Sequence, residues 1–219
     1  MGEHIRGILL FHPRHIASTL LIAFLGREAE KRGETMKGTL LRILAALSCL
    51  LISTWANVVP VQDFSLERMA GKWYLVGFAT NAQWFVNHKA DMKMGTATIT
   101  PTEGDDLDLS YSNLNADGTC WRMTHLAKKT DTPGRFTFHS QAWNNDNDMR
   151  IVDVVYDDYA LVHTIKTKEG VSEVLNKLYS RTPEISADLQ QKFTQYSIDT
   201  GILSDNIAFL PKNAECPEA

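Results

Sequence analysis

The sequence predicts an all-β fold in which eight antiparallel strands precede one α-helix. Eight short segments of mostly alternating apolar and polar residues recur roughly every 8 to 12 positions, separated by turn-forming residues. The apolar period lengthens to three or four residues only once, close to the C-terminus. Such a series of short strands is typical of a sandwich or a barrel. Because one helix cannot cover two sheets, we expect it to pack outside one wall.

The first strand, at residues 73–80, is apolar on both alternating faces, so we expect it to be covered on both sides. One predicted face includes small residues, which suggests close contact with something other than a neighbouring side chain. This face consists of Trp73, Leu75, Gly77 and Ala79. Similar patterns predict the other strands at residues 91–100, 107–113, 120–127, 135–140, 149–156, 159–166 and 172–180. The Asn and Asp residues at 144–148 predict a turn.

The single helix follows the last of these strands. Thr182 is predicted to cap it, with Pro183 at the first helical position. One apolar stripe marks the face that packs on the sheet, and it consists of Ile185, Leu189, Phe193 and Tyr196. Gly201 is predicted to end the helix, and residues 206–210 indicate a ninth short strand.

The first 56 residues are predicted to lie outside the folded domain. A basic Lys37, an apolar run at 40–55 and small residues before the cleavage point describe a secretory signal peptide at residues 36–56. We expect cleavage to leave one domain at 57–219, with residues 1–35 as an upstream extension without an assigned function. The alternative is a signal anchor that keeps the protein on membranes.

The charge and the cysteines of the predicted domain indicate a soluble secreted protein. It has 15 basic and 22 acidic residues, a net charge of −7, which argues against nucleic acid and anionic membranes as partners. Its two cysteines are Cys120 and Cys216, and in an oxidising compartment two cysteines most simply pair. Two free buried thiols are the alternative.

Three short motifs resemble the signatures of the lipocalin family. They are Gly71-Lys72-Trp73-Tyr74, Tyr156-Asp157-Asp158-Tyr159-Ala160 and Leu178-Tyr179-Ser180-Arg181-Thr182. The resemblance implies a closed, up-and-down lipocalin barrel of eight strands, with one C-terminal α-helix packed outside and space for one small ligand. The second motif departs from the family pattern, because Val154 and Val155 replace a threonine and an aspartate. The resemblance therefore does not extend to the receptor and loop contacts associated with that motif.

The resemblance also implies structural roles for particular residues. The tryptophan of the first motif, Trp73, should plug the closed end of the barrel, with Arg181 lying across its ring in a cation–π contact. Gly71 and Tyr156 complete this set of signature residues. The family's commonest disulfide joins strand four to the C-terminal tail, which matches Cys120 and Cys216.

Within the family, the chain most resembles the lipocalin-type prostaglandin D synthases, with alpha-1-microglobulin more distant. The resemblance implies a catalytic thiol on strand two, but Gly95 occupies the matching position. The pocket hydroxyls of the synthases map onto Leu75, Ala97 and Tyr111, so only one hydroxyl is retained. A nucleophilic thiolate requires an accessible thiol. We therefore expect no catalytic residue and no cofactor, and synthase activity is the alternative function.

A ligand pocket is predicted on the inward faces of the strands. Turning Asp108, Arg122 and Arg150 outward places apolar side chains inside, and four further positions match pocket positions of the synthases. The predicted ligand contacts are Met94, Leu109, Tyr111, Trp121, Met123, His125, Phe138, Trp143 and Tyr179. A lining rich in Met, aromatic and aliphatic groups suits a flat or flexible apolar ligand. The alternative is that these side chains fill the barrel as an ordinary core.

Some polar residues are predicted to face the same space. His125 and His163 occupy positions that suggest a hydrogen bond to a ligand carboxylate. Lys177 shares the inward face with Tyr179, which suggests either a pair with an anionic head group or an extension to the rim. The four histidines of the domain lie on different elements, so no metal site is expected.

Together these patterns predict a secreted monomer that transports a small hydrophobic molecule. A retinoid, a fatty acid or a bilin would suit the predicted pocket. An interaction protein that binds a cell-surface receptor through its rim loops is a further class that the sequence leaves open.

Overall fold

The computed structural model describes residues 58–217. The predicted upstream extension and signal peptide, residues 1–35 and 36–56, lie outside the described residues. The strands of the described part are β1 (Gly71–Thr80), β2 (Gly95–Pro101), β3 (Leu107–Leu114), β4 (Cys120–Lys129), β5 (Arg135–Ser140), β6 (Asn145–Val155), β7 (Tyr159–Lys168), β8 (Val171–Ser180) and β9 (Ile207–Phe209). The helices are α1 (Leu66–Met69), α2 (Gln83–His88) and α3 (Ala187–Asp199), with a short 3₁₀ turn at Ser204–Asn206.

Strands β1 to β8 form a closed antiparallel barrel. Each strand pairs with the next in sequence, and β1 pairs with both β2 and β8, which closes the sheet. β9 pairs with residues 77–79 of β1, which lie beyond the part of β1 that pairs with β2. The prediction of an eight-stranded up-and-down barrel with a C-terminal helix is confirmed. In the part of the chain that the structure describes, no helix is long and apolar enough to cross a membrane.

A β-bulge between Leu75 and Gly77 turns the first strand over, so the predicted single face was wrong. Trp73 and Leu75 belong to the apolar cluster inside the barrel. Gly77 instead faces outward, where a Cβ atom would lie 2.9 Å from a ring carbon of Phe193 in α3. Ala79 shares this outward face. The small residues of β1 therefore allow the helix to pack closely against the barrel wall.

Helix α3 begins four residues later than the cap at Thr182 would predict. Ser186 caps it, because its Oγ accepts a hydrogen bond from the N–H of Leu189 at 3.2 Å. The Thr182 hydroxyl instead donates to the carbonyl of Glu184 at 2.9 Å. The predicted apolar stripe does pack on the barrel, and Phe193 within it is fully buried.

Two predicted strand boundaries were also wrong. β2 begins at Gly95 rather than at residue 91, because the chain is still turning after α2, with the N–H of Asp91 bonded to the carbonyl of His88. β6 begins at Asn145, inside the turn predicted at 144–148. Asn145 and Asn147 are buried there, and the Asn147 amide donates to the side-chain oxygen of Asn145 at 2.8 Å. This hydrogen bond satisfies polar groups that would otherwise favour a turn.

The closed end of the barrel is built around Trp73, which is fully buried. Its indole N–H donates to the carbonyl of Met69 at 2.9 Å. The guanidinium carbon of Arg181 lies 3.6 Å from the ring centroid. The same guanidinium donates to the backbone carbonyls of Arg68, Ala70, Lys72 and Tyr156. One side chain therefore ties the end of β8 to the start of β1, to α1 and to the β6–β7 turn.

The predicted disulfide between Cys120 and Cys216 is confirmed. It fastens the C-terminal tail to the start of β4. Glu215 adds further contacts, because its carboxylate accepts hydrogen bonds from Lys72 at 2.9 Å and from the Tyr74 hydroxyl at 2.5 Å. The tail thus bridges β4 and β1 outside the barrel.

Candidate ligand-binding site

The lower part of the barrel is filled by side chains. Above the Trp73 floor, inward-facing residues from several strands are each less than 8% exposed, and they belong to one apolar cluster. These residues are Ile99, Leu107, Leu109, Phe136, Met149 and Ile151. Close packing of this kind leaves no room for a ligand. Any ligand space must therefore lie higher, between this core and the open end.

The upper part of the barrel has a ring of inward-facing side chains that are only half-buried. Leu75 and Tyr111 belong to it, and so do Met123, His125 and Phe138. If the barrel were completely filled, these side chains would be fully buried, like the residues below them. Their residual exposure indicates unfilled space inside the barrel, which we call the lumen.

The open end of the lumen is bordered by exposed tryptophans. Trp84, Trp121 and Trp143 are 41%, 42% and 54% exposed, and they lie on α2, at the start of β4 and in the β5–β6 turn. Trp84 also contacts Phe78, with their ring centroids 5.8 Å apart. Helix α2 therefore covers one side of the opening.

The wall between β4 and β5 is incomplete. These strands share only two residue pairs, Lys128 with Thr137 and Lys129 with Phe136. Beside this short pairing is a cleft of about 450 Å³. The cleft is lined both by Phe138, which stacks on the inward-facing His125, and by outward-facing residues such as Asp148.

The most distinctive polar group of the lumen is the ammonium of Lys177. Its Nζ lies 5.3 Å from the ring centroid of Tyr111 and 5.9 Å from that of Phe78. Burial, together with repulsion by the nearby Lys166, lowers the pKa of Lys177 to about 8. The sequence-based prediction that Lys177 faces inward thus agrees with its contacts.

A second cation, Lys166, approaches the same space from β7. Its Nζ lies 5.3 Å from the ring centroid of Trp84, and burial lowers its pKa despite the opposing charge of Glu173. None of the ion pairs within residues 58–217 includes Lys166 or Lys177. The lumen of this acidic protein is therefore locally positive.

The other titratable groups near Lys177 are uncharged at neutral pH. Burial raises the pKa of Tyr111 to about 12 and raises the pKa of Tyr179 well above its ordinary value. The pKa of His125 is lowered, first by burial and then by the charges of Lys177 and Lys166. His125 also stacks on Phe138 with their ring centroids 4.7 Å apart. The lumen thus offers neutral hydrogen-bond donors beside a cation.

The structure brings together five of the nine predicted ligand contacts. Tyr111, Met123, His125, Phe138 and Tyr179 lie on inward-facing positions around the lumen. The other four are distributed as follows: Leu109 lies in the filled lower core, Met94 is buried in the cluster that includes Phe85, and Trp121 and Trp143 lie at the open end.

His163 does not face the lumen, so its predicted role toward a ligand was wrong. It lies on the outer face of β7 beneath α3 and is 2% exposed. Its Nδ1 shares a hydrogen bond with the side chain of Asn176 at 2.8 Å, and its ring lies beside Tyr196 of α3.

Three lumen residues were not among the predicted contacts. Phe78 was assigned to the opposite face, because alternation cannot reveal the bulge that precedes it. Trp84 follows β1 in a segment without a clear period, although an apolar group between polar residues was a signal for a covering loop. Lys166 shares the inward face of β7 with Val162, so its alternation was the available signal.

The position that matches the synthase thiol has no room for a side chain. A Cβ atom on Gly95 would lie 2.7 Å from the backbone carbonyl oxygen of Ser112 and 2.9 Å from the side-chain amide nitrogen of Asn113. Both cysteines of residues 58–217 are joined in the disulfide. The described part of the chain therefore presents no thiol to the lumen.

Replacing the half-buried cation of Lys177 should stabilise the protein. We expect Lys177→Met to raise the free energy of unfolding at pH 7 by about 1 to 3 kcal/mol, because the pKa of Lys177 is about 8 in the folded state against 10.5 in the unfolded state. Since the folded pKa is the lower one, the cost of the charge is complete below pH 8. It should disappear as the pH rises from about 8 to 10.5. Urea denaturation at pH 7 and pH 10 measures both effects.

The conservative control is Lys129→Met, which removes an exposed lysine that pairs with Asp105. This variant should change the free energy of unfolding by less than about 1 kcal/mol. A Lys177→Met variant that is less stable at pH 7, or whose difference from the unaltered protein does not shrink at high pH, would contradict the burial of an unpaired charge.

Comparison with known proteins agrees with this architecture. The model of the lipocalin / cytosolic fatty-acid binding protein family matches residues 70–214. The chain is 38% identical to a lipocalin from Rhinella marina, over 83% of this chain and 98% of that protein. It is 31% identical to prostaglandin-H2 D-isomerase from Felis catus, over 80% and 92% of the two chains.

Among solved structures, one described as "The Siderocalin Ex-FABP functions through dual ligand specificities" superposes with a TM-score of 0.60 at 28% identity. The superposed region covers 68% of this chain and 99% of the chain in that structure. With the match to the family model, the barrel and the Trp73–Arg181 contact, these similarities identify the chain as a member of the lipocalin / cytosolic fatty-acid binding protein family.

Proposed function

We propose that this protein is a secreted lipocalin that binds and transports a small hydrophobic molecule in its lumen. The observation that carries the proposal is the ring of half-buried aromatic and aliphatic side chains above a filled core. Apolar surface that borders unfilled space gains free energy when a ligand covers it, by about 25 cal/mol per Å². The family's small hydrophobic ligands agree with a lining of this kind.

The lining favours a flat or extended ligand such as a retinoid, a fatty acid or a bilin. Aromatic rings from three strands surround the lumen, at Phe78, Tyr111 and Phe138. Met123 adds a flexible side chain that can adapt to the shape of the ligand. Trp84 and the other exposed tryptophans at the open end would extend the apolar contact to the entrance.

Secretion is supported by two independent features. The predicted signal peptide precedes the domain, and the disulfide between Cys120 and Cys216 requires an oxidising compartment to persist. A cell-surface receptor and a monomeric state are further proposals from the sequence. The exposed Trp121 and Trp143 would be available to such a receptor.

Prostaglandin isomerisation is the second candidate, because relatives at 31% identity carry that name. The missing thiol disfavours it. We expect no turnover of the prostaglandin endoperoxide above the thiol-only background, and product analysis by mass spectrometry tests this directly. Clear turnover by the unaltered protein would reverse the order of the two candidates. A Gly95→Cys variant is a poor rescue, since its Cβ would collide with Ser112.

A charged side chain placed in the lumen should abolish ligand binding. Met123→Arg points a long cation into the proposed ligand space, whereas Thr124→Arg places the same group on the outer, exposed face of β4. Retinol should quench tryptophan fluorescence saturably in the unaltered protein and in Thr124→Arg, but at least tenfold more weakly in Met123→Arg, since desolvating the cation opposes binding. Circular dichroism verifies that both variants fold. Equal quenching in the two variants would place the ligand outside the lumen.

A further inference from the structure

We infer that the ligand of this lumen is an amphiphile with a negatively charged head group, which lies against Lys177, and that its tail extends toward the open end. This inference rests on the proposed function, because it concerns the ligand of the same lumen. It goes further in specifying the charge of the ligand and its orientation.

The first argument is the missing partner of Lys177. Lys177 is half-buried, and charges that lose much of their hydration in folded proteins are almost always paired with an opposite charge or fully hydrogen-bonded. Within residues 58–217, the Lys177 ammonium takes part in neither a salt bridge nor a hydrogen bond that meets normal geometry, and its contacts are the faces of Phe78 and Tyr111. Cation–π contacts replace only part of the lost hydration. An anionic ligand would supply the missing partner.

The second argument concerns the charges around the two lysines. Neither Lys166 nor Lys177 has a salt-bridge partner within residues 58–217, and the charge nearest to Lys177 is the repelling Lys166. A negatively charged group beside Lys177 would relieve this repulsion. Tyr111 and Tyr179 stay neutral and keep their hydroxyl protons, so they can donate hydrogen bonds to a single anionic group.

The third argument gives the orientation. Lys177 pairs with Phe78 across β8 and β1, one level above the pair of Tyr179 with Leu75. Below that level the barrel is filled by the core around Leu109. An apolar tail attached to a head group at Lys177 can therefore extend only upward, along Phe138 and Trp84.

The same arrangement predicts how affinity depends on pH. The titratable groups that face Lys177 are Tyr111 on β3, His125 on β4, Lys166 on β7 and Tyr179 on β8, with Glu173 nearer the opening. Of these, the tyrosines and His125 stay neutral between pH 7 and 9, because the tyrosine pKa values are raised and that of His125 is lowered. Deprotonation of Lys177, with a pKa of about 8, therefore removes positive charge from the lumen over this range, and the lowered pKa of Lys166 acts in the same direction. Affinity for an anion should fall about tenfold from pH 7 to pH 9.

All-trans retinoic acid and retinol form a matched pair of probes, since they share one polyene and differ in the charge of the head group. We expect the unaltered protein to bind retinoic acid at least tenfold more tightly than retinol at pH 7, measured by tryptophan quenching. Lys177→Met should lose this preference while retaining its affinity for retinol. The control variant Lys129→Met, which removes an exposed lysine at the closed end, should keep the preference for retinoic acid. Palmitate and methyl palmitate, as competitors of bound retinoid, repeat the comparison with a flexible tail.

The outcomes separate this inference from the proposed function. Equal affinity for the acid and the alcohol, or an acid preference that persists in Lys177→Met, would overturn the inference and leave the proposed function standing. Binding of retinoic acid that does not weaken between pH 7 and pH 9 would also count against Lys177. If none of the four probes binds, the proposed function fails together with the inference. Retained retinol binding shows that Lys177→Met is folded.

Discussion

The contact between Arg181 and Trp73 is the interaction on which the rest of the structure depends. The guanidinium stacks 3.6 Å from the indole centroid and binds carbonyls from α1, β1 and the β6–β7 turn. It thereby closes one end of the barrel with a buried aromatic plug. Because that end is closed and the core above it is filled, a ligand must enter from the opposite end. This closure therefore gives the lumen its direction, with Lys177 at mid-depth and tryptophans at the entrance.

The β-bulge in β1 links the outside of the barrel to the lumen. It turns Gly77 toward α3, where the absence of a side chain lets Phe193 approach. The same turn brings Phe78 into the lumen, where it contacts the ammonium of Lys177. A single extra residue in the strand therefore serves both helix packing and the lining of the ligand space.

Strict alternation explains why much of this fold was predictable. Tyr111 and His125 were placed correctly because each lies on a regular strand with one polar face, where a period of two fixes the direction of every side chain. Lys177 was placed by its shared face with Tyr179, since the residues around it on β8 are buried on both faces. His163 was misplaced because its neighbours on β7, from Tyr159 to Thr164, are buried on both faces, so polarity does not distinguish inside from outside. The bulge before Phe78 depends on pairing with β8, and the start of β6 at Asn145 on a side-chain hydrogen bond from Asn147, neither of which alternation encodes.

A crystal structure of the protein with bound all-trans retinoic acid would test the central claim most directly. The account predicts a carboxylate within hydrogen-bonding distance of the Lys177 ammonium and a polyene that runs past Phe138 toward the open end. A carboxylate found at the entrance beside Trp121 and Trp143, or a ligand bound outside the barrel, would contradict it.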